Sequence, residues 1–232
     1  MMVKVTMKTA LLISVLALAF SQAAAAGGVK TAAAVDSAAG SLAGGEVTPI
    51  AEAVAKKVEV TEASFRCLHQ MTKVGDVYVD NLLGQLDATK AVASSVAGGI
   101  YPPGSVLQLI PGEAMVKLDK GARPETSDWE FFALDVQPEG VKIKQRGGKE
   151  VSNMFGSCFG CHANAAPQRD LVCGKGNGCP PVVFPGGIDN AKLIAALQKT
   201  DKRCPSPEPL KPEELAELKK LQALLAPPSG QQ

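Results

Sequence analysis

The sequence predicts an α+β fold, an antiparallel β-sheet meander packed with helices. Two observations carry this. Apolar residues recur at helical spacing before residue 98 and after residue 188, while the segments between 105 and 145 are short, alternate in polarity and are separated by turn residues.

Taken in order, residues 50–60 read as a short helix and residues 62–72 as an amphipathic one. Val79, Leu82, Leu83 and Leu86 continue through Ala93 and Val96 at helical spacing, and Gly98-Gly99 ends the run. Tyr101-Pro102-Pro103-Gly104 is a turn. Strands follow at 105–110 and 114–119, separated by Pro111-Gly112, then at 128–136 and 141–145, flanking Gln137-Pro138-Glu139-Gly140. Val141 and Ile143 alternate with Lys142 and Lys144, as in a half-buried strand. Ile188 to Thr200 reads as a helix with Leu193, Ile194 and Leu197 inward. Pro205, Pro207 and Pro209 make an extended spacer. Pro212-Glu213-Glu214 then opens a last helix, with acids near the positive end of its dipole and a leucine stripe for docking.

The N-terminus reads as a secretory signal. Lys4 and Lys8 supply the positive region, residues 10–20 the short apolar core, and Ala24-Ala25-Ala26 the small-residue cleavage site. The expected organisation is a signal peptide at 1–26, a flexible Ala/Gly-rich lead at 27–48, a domain at 49–204, and a spacer with a C-terminal helix at 205–232. No other apolar run approaches the ~20 residues of a membrane span, so no membrane anchor is expected after cleavage. The expected location is the periplasm. With Lys+Arg 24 against Asp+Glu 23, the net charge is +1, and nucleic acid is not an expected partner.

Residues 158–162 read Cys-Phe-Gly-Cys-His. Two cysteines so spaced sit on one helical turn, at the separation of the two haem vinyl groups, with the next residue placed to bind iron. This is the signature of covalent c-type haem attachment, and the expected cofactor is one haem c held by Cys158, Cys161 and His162, with His162 on the metal. The haem then lies in the C-terminal part of the domain. A thioredoxin-like dithiol would leave His162 without a role. A zinc site of Cys158, Cys161, Cys173 and Cys179 has a second pair spaced wider than usual. The other four of the six cysteines suggest two disulfides with three pairings. Cys173–Cys179 is favoured because Cys-Gly-Lys-Gly-Asn-Gly-Cys can close tightly, which leaves Cys67–Cys204.

The order of Tyr-Pro-Pro-Gly-Ser-Val-Leu (101–107), Glu-Ala-Met-Val-Lys (113–117), Asp-Trp-Glu-Phe-Phe (128–132) and Cys-x-x-Cys-His resembles the cytochrome P-460 family, which includes the cytochromes c′-beta. The resemblance covers roughly residues 62–165. It implies a mostly antiparallel sheet, a proximal histidine and an often vacant distal side. Members that oxidise hydroxylamine carry a lysine crosslinked to the haem edge. The matching position here is Leu109, which has no nucleophilic nitrogen, and Lys117 matches a different family position. The resemblance is therefore closer to the uncrosslinked c′-beta type.

A sixth iron ligand would favour electron transfer, whereas an open iron would bind small molecules. The candidates for a sixth ligand are His69, Met71, Met115 and Met154, with His69 otherwise a hydrogen-bonded helix residue and Met71 and Met115 core packing. The distal-pocket candidates are Phe131, Phe132, His69 and Met71; the two phenylalanines lie on opposite faces of one strand, so at most one faces the haem. Glu113, Glu130 and Arg146 are candidates for a proton relay, each expected as a solvent-facing strand residue, and no catalytic acid is named. Two functions remain open. One is a periplasmic haem protein that transfers electrons to a redox partner or binds a small gaseous ligand such as nitric oxide, a homodimer being allowed. The other is a haem redox enzyme acting on a small nitrogen compound or peroxide.

Overall fold

The computed structural model describes residues 56–153, 156–181 and 183–226, all within a compact unit spanning Glu52–Gln232. The expected signal peptide and lead, residues 50–55 of the first expected helix, and Met154 lie outside the described residues. No helix among the described residues is long and apolar enough to cross a membrane.

Six strands form one antiparallel sheet in chain order: β1 (Thr72–Val74), β2 (Val77–Asn81), β3 (Ser105–Gln108), β4 (Glu113–Lys117), β5 (Trp129–Gln137) and β6 (Gly140–Gly147). The expected α+β meander is present, and the four strands read from alternation are β3 to β6. Helix α1 (Leu86–Ser94) interrupts the meander between β2 and β3. A short two-stranded ribbon, β7 (Ser152–Asn153) with β8 (Gly156–Ser157), leads directly into α2 (Cys158–His162). Helices α3 (Asn190–Lys199) and α4 (Pro212–Leu225) complete the chain.

Alternation along the strands sorts the apolar residues onto two faces. One face carries Val106, Val116, Phe132 and Leu134, packed against Phe65, Leu68 and Met71. The other carries Val79, Leu107, Met115, Trp129 and Phe131, packed against Tyr101, Val151, Val172 and the α2 residues Cys158 and Phe159. The sheet thus separates the segment around residues 65–71 from the segment around residues 158–172.

Of the helices expected before residue 98, only the part from Leu86 to Ser94 is present, as α1; the rest among the described residues is corrected. Residues 56–60 are irregular, and residues 62–72 form two 3₁₀ turns (Glu62–Ser64 and Leu68–Gln70) that run into β1. The Leu68 amide donates to Asp201 Oδ2 at 2.9 Å instead of to a helical carbonyl, and Cys67 is tied to Cys204. Long-range bonds there override the local helical pattern. Residues 79–81, the start of the expected helical run, belong to strand β2 instead. Val-Tyr-Val is a β-branched and aromatic run, and Gly75, with φ +59°, turns β1 back onto it.

The later helices agree with expectation. Asp189 caps α3 by accepting from the Lys192 amide at 3.2 Å. Glu214 caps α4, accepting from the Lys211 amide at 2.8 Å and from Lys199 Nζ on α3. Only part of the leucine stripe docks: Leu218 and Leu221 pack against Phe184, Ile188 and Leu193, while Leu215, Leu224 and Leu225 are exposed. Helix α3 reaches the sheet through buried Gln198, whose Nε2 donates to the Asp76 and Leu109 carbonyls, both at 2.8 Å.

Candidate functional site

Cys158, Cys161 and His162 occupy a single helical turn held at both ends. The Ser157 hydroxyl accepts from the Gly160 amide at 3.0 Å, capping the start. The Cys158 amide donates to the Val151 carbonyl at 3.0 Å, and Asn164 Nδ2 donates to the Gly160 and Cys161 carbonyls at 2.9 and 3.0 Å, closing the end. Both cysteines are free and half-buried. Burial, followed by the nearby Glu113 carboxylate, pushes the Cys158 thiol up to about 11. It is a protonated thiol at neutral pH, the opposite of the depressed thiolate of a redox dithiol.

His162 Nδ1 lies 2.7 Å from the Leu171 carbonyl oxygen. A carbonyl only accepts, so Nδ1 carries the proton and Nε2 keeps its lone pair, as required of a metal ligand. Burial holds the imidazole below its usual basic range against this bond, so the ring is neutral at pH 7. Phe131 packs on it with ring centroids 5.2 Å apart.

The residue before the acceptor is anchored. Asp170 is buried, and both its carboxylate oxygens take a hydrogen bond from Lys117 Nζ at 2.7 Å. Its Oδ2 also accepts from the Tyr101 amide at 2.9 Å, and its carbonyl accepts from Trp129 Nε1 at 2.7 Å. Burial, and then the Asp170 charge, push the Tyr101 hydroxyl up to about 12.

The two predicted disulfides are present. Cys67 joins Cys204, and Cys173 joins Cys179. The second closes a loop over α2: Ala166 N donates to the Asn177 carbonyl at 2.7 Å, and Cys173 Sγ lies 3.8 Å from the Cys161 carbonyl oxygen. This removes the four-thiolate zinc set, since two of its sulfurs are bonded to each other. Among the described residues one other Cys/His group lies within ligand reach, Cys67, His69 and Cys204, with atoms within 4.8 Å of one another. Its sulfurs are likewise consumed in a disulfide.

The structure separates the other site candidates. Phe131 lies with His162, but Phe132 is on the opposite face, 4.9 Å from Phe65 and under the Arg146 guanidinium. Met71 packs with Phe132. His69 Nε2 donates to the Gln198 carbonyl at 3.2 Å and lies 3.7 Å from Glu208. Phe132, Met71 and His69 are therefore corrected: each belongs to the face away from α2, Phe132 because strand alternation sends it opposite to Phe131, and His69 and Met71 because the 3₁₀ turn at Leu68–Gln70 packs on that face. Met115 stays on the His162 side, paired in register with Phe131. No family model, curated protein or solved structure matches the chain.

Two of the three polar strand residues differ from expectation. Glu130 is buried and held by Arg146 at 2.8 Å and Arg123 at 3.4 Å on the far face. Glu113 is half-buried, accepts from Asn153 Nδ2 at 2.6 Å, and is raised by burial although that bond opposes the shift. It is the acid beside Cys158. Asp170 and the Leu171 carbonyl have no part in the sequence expectation, where Lys117 enters only as a lysine that does not match the crosslinking position. A lysine ending the apolar run Ala-Met-Val-Lys is the available signal, because a buried ammonium requires a counter-charge. A cleft of about 260 Å³ opens on this face, lined by Val74, Val77, Val92, Tyr101, Arg169 and Val172 among others. A larger hollow of about 450 Å³ lies at the Cys67 corner, away from the free thiols.

Proposed function

We propose that the chain is an exported mono-haem c-type cytochrome, resembling the P-460/c′-beta type, that works in the periplasm. One observation carries the reading: two free cysteines and a histidine share one capped turn, with the Nδ1 proton already committed to a carbonyl and Nε2 left for iron. The donor set fits haem c and fits the alternatives poorly. A dithiol oxidoreductase needs a depressed thiol, and Cys158 is shifted the other way.

A covalently bound haem would supply a redox-active iron. The protein's residues do the rest. Cys158 and Cys161 would hold the macrocycle by thioethers. His162 Nε2 would bind the iron on one side, with its ring fixed by Leu171 and Phe131. The apolar face of Val79, Leu107, Met115 and Phe131 would keep bulk water from the group.

The placement of His69 and Met71 across the sheet removes two of the four sixth-ligand candidates and leaves Met115 on the His162 side; the resemblance to the c′-beta type favours an open iron, hence binding of a small gaseous ligand such as nitric oxide alongside electron transfer. Leu109, the position matched to the crosslinking lysine, gives no support to hydroxylamine oxidation; its carbonyl accepts from Gln198. The test is an absorption spectrum of the purified exported protein, oxidised, reduced, and reduced under carbon monoxide. The expected result is a covalent haem whose reduced form shifts with carbon monoxide. A low-spin spectrum unaffected by carbon monoxide would overturn the open-site part, and turnover of hydroxylamine would favour the enzyme reading.

A further inference from the structure

We infer that the buried Lys117–Asp170 pair is a positioning device for His162, acting through the Leu171 carbonyl. The inference rests on His162 being the iron ligand. Asp170 and Leu171 are consecutive non-glycine residues in the left-handed region, at φ +49° and +61°. Leucine rarely adopts that conformation, so something must hold it there.

The structure supplies the restraint. Lys117 Nζ reaches both Asp170 oxygens and also donates to the Ser127 carbonyl at 2.7 Å, and it lies 5.0 Å from the Trp129 ring centroid. Trp129 Nε1 and the Tyr101 amide bind Asp170 from two further directions. Strands β4 and β5 thereby clamp the peptide between residues 170 and 171, and the next peptide, which carries the Leu171 carbonyl, is held by the Val172 amide donating to the Arg169 carbonyl at 2.9 Å. The consequence of the clamp is a carbonyl aimed at His162 Nδ1.

A buried ion pair is an expensive way to gain stability, since apolar residues of similar volume serve as well. It is well suited to fixing one peptide orientation. A strong acceptor on Nδ1 makes the imidazole a better donor through Nε2, which favours the oxidised metal and lowers the reduction potential. Lys117, Asp170 and Trp129 are positioning residues in this account; none of them touches the reacting atoms.

The test uses the full exported chain carrying Asp170→Asn with Lys117→Met, a pair that leaves no uncompensated buried charge, and Asp170→Asn alone. Asparagine tolerates the left-handed conformation, so the backbone sign is kept in both; Asp170→Asn alone strands the buried Lys117 ammonium and is compared with the double variant after circular dichroism has checked its fold. Phe132→Leu, on the other sheet face, serves as a variant that costs stability without touching the clamp. The expected result is a higher midpoint potential and a lower iron–histidine stretching frequency in both Asp170 variants, with neither changed in Phe132→Leu. Unchanged potential and stretching frequency in the Asp170 variants, with only a lower melting temperature, would overturn the inference. If the wild-type chain carries no haem, the proposed function fails separately. The ¹⁵N shifts of His162 then decide the matter: an Nδ1–H tautomer in the wild type and a mixture in Asp170→Asn would support the clamp, and equal populations would refute it.

Discussion

The molecule contains two corners built from two cysteines and a histidine, and they sit on opposite sides of one sheet. At the first, Cys67 and Cys204 are bonded across 137 residues of chain, and His69 spends its Nε2 proton on the Gln198 carbonyl. At the second, Cys158 and Cys161 are three residues apart and free, and His162 spends its Nδ1 proton on Leu171, which leaves Nε2 available. The same residue types make a staple in one place and the proposed ligand set in the other. What differs is sequence spacing and which nitrogen the backbone claims.

Substitutions that treat the corners alike should break this contrast most sharply. Replacing Cys158 and Cys161 with serine is expected to abolish covalently bound haem, read by haem staining of denaturing gels, while the far-ultraviolet circular dichroism of the sheet persists. Replacing Cys67 and Cys204 should do the reverse, keeping haem and losing stability. Loop-closure entropy over so long a span gives a loss of about 5 kcal/mol in denaturant titration, against about 2 kcal/mol for the short loop closed by Cys173 and Cys179.

The phenylalanine pair offers a finer comparison. Phe132→Ala empties the core behind Phe65 and Arg146 and is expected to cost about 3–5 kcal/mol with the haem spectrum unchanged. Phe131→Ala should instead alter the spectrum and the ligand-binding kinetics, since its ring lies on His162. Equal spectral changes from the two would show that the faces are not separate.

The smallest expected effect concerns acid. Burial works against ionisation of Asp201, but the Arg203 guanidinium and the Leu68 amide outweigh it and hold the carboxyl below its ordinary range. A depressed folded-state pKa gives stability that is complete above the unfolded value, near 4, and is lost as pH falls through the folded value. Urea midpoints measured from pH 5 to pH 2 should therefore fall more steeply in the wild type than in Asp201→Asn. Parallel curves would mean that Asp201 contributes nothing specific to the staple corner.

The sequence exposed the second corner far better than the first. Cys-Phe-Gly-Cys-His is local, so its turn, cap and histidine could be read from five adjacent residues. The strands from 105 to 147 were legible for the same reason: alternation is a short-range pattern, and Pro-Gly and Glu-Gly mark the turns. The helical spacing of residues 62–72 and of the run's start at 79–81 is misleading because this region's conformation is dictated from 120 or more residues away, by Asp201, Gln198 and Cys204. His69 and Met71 were misplaced with it, since their face depends on that packing. The Lys117–Asp170 clamp was invisible for a related reason. Its partners are 53 residues apart, and the carbonyl it aims belongs to a leucine whose backbone sign no local pattern announces.

The most direct test of the account is the intact mass of the chain exported by cells that attach haem covalently, measured after acid–acetone extraction. The account predicts a mature polypeptide heavier by one haem, with Cys158 and Cys161 no longer alkylatable and the other four cysteines disulfide-bonded. A haem-free mass with two alkylatable thiols would contradict it.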